Sequence, residues 1–338
     1  MKVTYNFFKE LLGYLVGLLI FGLIFILFMN GSFTSFSFQL PKSVINVNTI
    51  FISIIIEAIP FVLLGVFVSS LIQMYVSEER LQKIIPKNPF LALIPAALLG
   101  VLFPVCECAI VPVVRRLIKK GMPLHVGMVL LLGAPILNPI VFFSTYVAFR
   151  MDVQMAYARM GLAFLIIIII GLFIYLIFGN KDQLKWARED LVASAQGTAT
   201  TPRKSFKAVL YHASDEFFQM GKYLIFGAFI ASLFQTFFNR SILLELGSNN
   251  LSAPPVMMGF AYALSLCSEA DAFIAASFLK TFSKGSILAF LLFGPMIDFK
   301  NTIMLFGYFK TKFVIAFMVI TTIVVLSVVY LFQSMVWG

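Results

Sequence analysis

The chain has 338 residues, of which 61% are hydrophobic, 39 are phenylalanine and 12% are charged. A soluble domain carries about 25% charged residues, so this composition argues against a soluble globular protein. The formal charge of +10 has no separate basic domain to hold it, which argues against nucleic acid and points to cationic loops on one membrane face.

Lys2 and Lys9 precede the run "LLGYLVGLLIFGLIFILFM" at 11–29. It is longer than a signal-peptide core and lacks a small-residue cleavage site, so it reads as a retained first span. "NGSFTSFSFQLPKS" follows as an uncharged outer loop, then a span over 49–76 that contains Glu57 and Pro60. "SEERLQKIIPKNP" is a short charged loop. Apolar sequence resumes from Phe90 to Ile118 but is interrupted at "FPVCEC" and ends in "RRLIKKG". Residues 124–148, with "GAPILNP", and 158–179 are further spans. Residues 180–216 are the main hydrophilic stretch and include the linker-like "SAQGTATTP". Apolar blocks at 217–238, 254–280, 286–308 and 311–336 complete the chain. This divides it into an N-terminal span and outer loop (1–48), a first transmembrane repeat (49–179), a cytoplasmic linker (180–216) and a second repeat (217–338).

Charge placement constrains the path. If every block crossed once from a cytoplasmic N-terminus, both "RRLIKK" and the 180–216 stretch would fall outside, against the positive-inside bias. If block 90–118 enters, breaks at "FPVCEC" and returns, then Arg80, Lys83, Lys87, Arg115, Arg116, Lys119, Lys120 and the linker all lie inside. The last four cations then read as topology anchors. Non-helical backbone at membrane depth is tolerated where protein buries it or where it lines a cavity.

The halves resemble one another. "PFVLLGVFVSSLIQ" (60–73) parallels "KYLIFGAFIASLFQ" (222–235), pairing Gly65 with Gly227, Ser70 with Ser232 and Gln73 with Gln235. The same frame pairs Glu107 with Glu269. "LLGAPILN" (131–138) parallels "LLFGPMID" (291–298), pairing Pro135 with Pro295 and Asn138 with Asp298. The predicted fold is an all-α polytopic membrane protein with two inverted-topology repeats, broken or re-entrant helices in each, and one extra N-terminal span. In transporters of that design the breaks mark the substrate site.

Acids inside the spans are Glu57, Glu107, Glu269, Asp271 and Asp298. Each charge at mid-bilayer costs roughly 2.5–3.5 kcal/mol on insertion scales, which makes such residues functional candidates. The alternative reading is that they are protonated or serve as helix caps. Glu57, Glu107 and Glu269 are the candidates for proton coupling. Cys106 and Cys108 flank Glu107. Two thiolates one residue apart diverge by about 200° on a regular helix, so they chelate one ion only where the backbone is extended. Pro104 and Pro112 make such a break reasonable. Thiolates select Cu(I) or Zn, and by the same softness trivalent arsenic, so Cys106 and Cys108 are the candidate metal ligands. The three cysteines are too few for a disulfide framework and are either soft ligands or small packed hydrophobes. "CSEAD" adds Cys267, Ser268, Glu269 and Asp271 to the substrate-binding set, although Ser268 and Asp271 also fit a helix-capping pattern. Asn138 and Asp298 either line the same cavity or bond backbone freed by the neighbouring prolines. No nucleotide-binding loop is present and no cofactor is expected.

"FPVCECAIVPVVRRLIKKGMPLHVGMVLLLGAPILNPIV" resembles the ArsP-like predicted permease family, the YraQ/YcgR-like permeases among them. The matching positions are Pro104, Cys106, Cys108, Arg115, Arg116, Pro135, Asn138 and Pro139; "LCSEADAFIAASF" and "FGPMIDFKN" look like the family's second-half motifs. The resemblance implies a permease. ArsP proper is associated with efflux of trivalent organoarsenicals, and some relatives are linked to zinc. The expected function is therefore a multi-pass plasma-membrane secondary transporter, not an enzyme, that exports a soft metal or metalloid species. Its partners would be the lipid bilayer, a small inorganic or organometalloid substrate and an accessory permease subunit. Two alternatives stand beside it: a membrane thiol oxidoreductase using the Cys106–Cys108 pair, and a membrane subunit of a multi-component permease.

Overall fold

The computed structural model describes residues 41–75, 88–102, 105–179, 183–185, 206–237 and 252–337. The apolar run at 11–29, the outer-loop residues up to 40, Arg80, Lys83, Lys87, Pro104 and "SAQGTATTP" lie outside the described residues.

A chain this apolar must satisfy its backbone internally, and helix does so within a single segment. The described residues are accordingly helical, with one isolated bridge between Leu184 and Phe309. In the first half these are α1 (Lys42–Tyr75), α2 (Pro89–Leu102), α3 (Glu107–Lys119), α4 (Leu124–Ile136), α5 (Pro139–Ala148) and α6 (Val153–Phe178). In the second half they are α7 (Phe206–Phe237), α8 (Ala253–Leu264), α9 (Ala270–Ser277), α10 (Lys284–Met296), α11 (Phe299–Tyr308) and α12 (Thr311–Phe332), closed by one π-helical turn at Gln333–Trp337. The order repeats helix for helix. The faint parallel between 60–73 and 222–235 falls on helices of 34 and 32 residues. The parallel at 131–138 and 291–298 falls on two 13-residue helices, each followed by one of 10. Helix α7 begins at Phe206, ahead of the apolar block expected from 217, because "SFKAVLYHASDEFF" is polar but holds no Gly or Pro to stop a helix.

Among the described residues, six segments are long and apolar enough to cross a membrane: Lys42–Tyr75, Leu124–Ala148, Val153–Phe178, Val209–Phe237, Lys284–Tyr308 and Thr311–Trp337. The two broken ones, Leu124–Ala148 and Lys284–Tyr308, are 78% and 89% buried over their most apolar windows, against 33–39% for the other four. The broken helices therefore form the core, and the unbroken ones surround it. Ile56, Leu63, Phe143, Tyr157, Leu176 and Ile323 point outward, as a lipid-facing surface requires.

Helix α1 packs along α7, α2 against α4, and α8 against α10. Small residues set the closest approaches. A Cβ at Gly65 would fall on the Ala109 backbone, and one at Gly100 would lie 2.7 Å from the Gly133 carbonyl carbon. Contacts also sort the helix ends. Lys120 Nζ donates to the Ile72 and Gln73 carbonyls (2.7 and 2.6 Å), capping α1 where its last carbonyls lack helical partners. Lys185 Nζ donates to the Phe306 carbonyl near the end of α11. At the opposite end of α12, Lys284 lies over the Trp337 ring at 5.9 Å.

Candidate substrate site

The thiol pair sits where the helix stops. Cys106 precedes α3 in extended conformation (φ −73°, ψ 169°) and Cys108 is already helical. Cys106 therefore lies off the regular helix, and the two thiols are close enough to interact. In the second half, α8 ends at Ser265 in left-handed conformation (φ 49°) and α9 starts at Ala270, leaving Cys267 in the gap. All three cysteines are free and buried. Cys267 faces Glu57 and lies within electrostatic reach of Glu107.

The second pair of breaks brings the next groups in. Pro139 disfavours helix at the residue before it, so Asn138 is extended and accepts a hydrogen bond from the Val141 amide at 2.9 Å. Asp298 does the same for α11, accepting from the Asn301 amide at 2.6 Å. Both residues are thus caps of broken helices, as the bonding of freed backbone required. Asp298 has a second use. Its Oδ2 lies 3.6 Å from Lys300 Nζ, and Glu107 Oε1 lies 3.7 Å from the same nitrogen. Lys300 is 3% exposed, and Cys108 and Cys267 are both within its electrostatic reach. Glu107, Cys108, Cys267 and Asp298 therefore converge on one buried ammonium. Glu269 is half-buried with its charge reaching Glu107.

Several polar atoms at the breaks are unsatisfied. Both Glu107 oxygens, Asp298 Oδ2, Asn138 Nδ2 and both side-chain amide atoms of Asn301 are buried without hydrogen-bond partners. Buried polar atoms are ordinarily paired, so these are free to meet a ligand.

Ser268 and Asp271 do not make the capping pair. Helix α9 has no side-chain cap, and Ser268 Oγ donates to Glu269 Oε2 at 3.4 Å. A cation from the other half accounts for this. Arg159 Nη2 donates to both Asp271 oxygens at 3.0 Å and to the Ser268 carbonyl at 3.1 Å, while Nη1 donates to Thr145 Oγ1 at 2.7 Å. Arg159 has no exposed surface. Arg115 and Arg116 are likewise more than loop anchors. Arg116 Nη2 pairs with Glu216 Oε2 at 3.2 Å, Ser69 Oγ donates to the same oxygen at 2.9 Å, and Arg115 lies over the Tyr308 ring at 4.4 Å.

Lys300 and Arg159 are the buried, ion-paired cations that sequence reasoning missed. Both fall inside predicted spans, 286–308 and 158–179. Cations in spans are as costly as acids, and the signal was there to be used. Among the described residues no group of three His, Cys, Asp or Glu side chains has metal-holding geometry.

Broken helices meeting at a buried, charge-lined centre, inside a shell of lipid-facing spans, define a polytopic membrane permease. The chain belongs to the ArsP_1 family, described as predicted permease, which matches residues 43–334. It is 51% identical over 285 residues to the UPF0718 protein YcgR of Bacillus subtilis, covering 84% of this chain and 95% of that protein. It is 40% identical over 288 residues to a putative two-component membrane permease complex subunit of Streptococcus mutans, covering 85% of this chain and 95% of that one. No solved structure matches. With these relatives and its apolar spans, the chain is a multi-pass protein of the bacterial plasma membrane.

Proposed function

We propose that the chain is a secondary transporter that exports a soft metal or metalloid species through the site between its two halves. The observation that carries this is the thiol pair: Cys106 and Cys108 lie close together where the helix breaks ahead of α3, with Cys267 in the matching break of the other half. Two thiolates hold a soft ion as cargo, and a third ligand would arrive from Cys267 as the halves move. The two halves repeat the same helix order with three membrane-length segments each, which supports an inverted pair rocking about the site. The test is a liposome uptake panel of Zn(II), Cu(I), arsenite and methylarsenite, repeated with Cys106→Ser and Cys108→Ser. At least one species should move, and both substitutions should reduce its flux by about tenfold or more, the scale of losing a metal-site partner. Fluxes untouched by either change would remove the thiols as ligands.

The name of the Streptococcus mutans relative supports a second reading, in which this chain is one subunit of a two-component permease. Transport by the purified chain alone in liposomes counts against it.

A further inference from the structure

The structure assigns to Lys300 a specificity-determining role: its ammonium is a resident counter-cation that a positively charged cargo must displace from Glu107 and Asp298, and that an uncharged thiophile need not. This rests on the thiol-site reading above and deepens it.

The geometry is that of a cation held but not locked. Lys300 Nζ stands 3.7 Å from Glu107 Oε1 and 3.6 Å from Asp298 Oδ2, and neither oxygen has a hydrogen-bond partner. The side chain is nearly closed off from water at 3% exposure. Its backbone is packed from behind, since a Cβ on Gly227 of α7 would come within 3.1 Å of the Lys300 Cα. The backbone is therefore held in place while the ammonium gives way to the cargo. Glu107 and Lys300 both lie within electrostatic reach of Cys108, so a cation on the thiols shares that carboxylate with Lys300. In a buried site the repulsion between two such cations is far larger than in water. That repulsion has a use. A soft ion held by two thiolates with no opposing charge leaves slowly, and turnover needs binding weak enough for release. Zn(II) arrives as a dication and releases the two thiol protons to water, whereas arsenous acid condenses with the same thiols, each S–H hydrogen leaving with an As–OH oxygen as water, and brings no charge to be repelled.

The experiment measures equilibrium binding of Zn(II) and of arsenous acid, which is uncharged at neutral pH, to the purified full chain and to two variants. Lys300→Met should tighten Zn(II) binding by roughly tenfold or more, by the size of buried charge interactions, and leave arsenous acid unchanged. Its turnover of Zn(II) in liposomes should fall while affinity rises. Asp298→Asn should do the reverse, weakening Zn(II) and sparing arsenous acid, because Asn preserves the cap of α11 while leaving Lys300 less compensated. This second variant carries the test alone if Lys300→Met does not fold. Zn(II) and arsenous acid affinities that move together in either variant, or a Zn(II) affinity indifferent to both, overturn the role of Lys300 and leave the thiol site standing. A wild-type chain that binds neither probe overturns the thiol site and this role with it.

Discussion

Arg159 and Asp271 show how one residue's role is settled by a partner far along the chain. The pair is separated by 112 positions and both members are buried, at 0% and 2% exposure. Removing one member of a buried pair strands the other charge, at a cost of roughly 3–5 kcal/mol, whereas removing both is often close to neutral. Arg159→Met should therefore lower the thermal unfolding midpoint in detergent sharply, and Arg159→Met with Asp271→Asn should recover most of the loss. A double variant no better than the single one would mean that the Thr145 and Ser268 contacts of Arg159, not its charge, hold this region. At this scale the sequence showed the acids and thiols, because each is conspicuous in an apolar run. It did not show that Asp271 turns away from a cap toward Arg159, since a local spacing of three residues carries no trace of a contact formed 112 residues away. His125 is buried and packs edge-on against Tyr175 with ring centroids 5.0 Å apart.

At the scale of helices, the breaks were the most legible features. Pro139 stops α4 by restricting Asn138, and the interruption at "FPVCEC" was forced by the placement of cations around it. The break at Ile297–Asp298 has no proline after it; it was visible only through its alignment with Asn138. Close helix contacts are where the aligned glycines differ. A Cβ at Gly65 would collide with the Ala109 backbone next to the thiol pair, while one at Gly227 would meet the Lys300 Cα at 3.1 Å and one at Gly161 would meet nothing within 4 Å. Backbone cannot move aside as a side-chain tip can, and overpacking of this kind costs about 1–3 kcal/mol. Gly65→Ala should therefore be the most damaging of the three, Gly227→Ala intermediate, and Gly161→Ala neutral or slightly stabilising through its better helix propensity. Melting curves of the three purified variants in one detergent give the ranking. Equal losses at Gly65 and Gly161 would show that α1 does not press on α3 as described.

Across the whole molecule, each half supplies a cation to a break in the other. Lys300 of α11 meets Glu107 of α3, and Arg159 of α6 meets Asp271 of α9. Neither half can form its site alone, so the two should move as interlocked bodies. The three membrane-length segments that each half has among the described residues also set their directions. An odd number returns the chain to the opposite face, so the second half should run through the bilayer inverted with respect to the first. The contact between Leu184 and Phe309 ties the segment after α6 to the α11–α12 junction, which puts both at one end of the bundle. Gln154, just after the start of α6, and Lys280, between α9 and α10, should then face outside, and Lys312 should face the cytoplasm; all three are exposed. The native cysteines are 4%, 2% and 8% exposed and should give little background. A membrane-impermeant maleimide should label Gln154→Cys and Lys280→Cys in intact cells, and Lys312→Cys only after permeabilisation. Labelling of Gln154→Cys and Lys280→Cys from opposite faces would mean that the two halves are not inverted copies and that the two breaks enter the membrane from the same side.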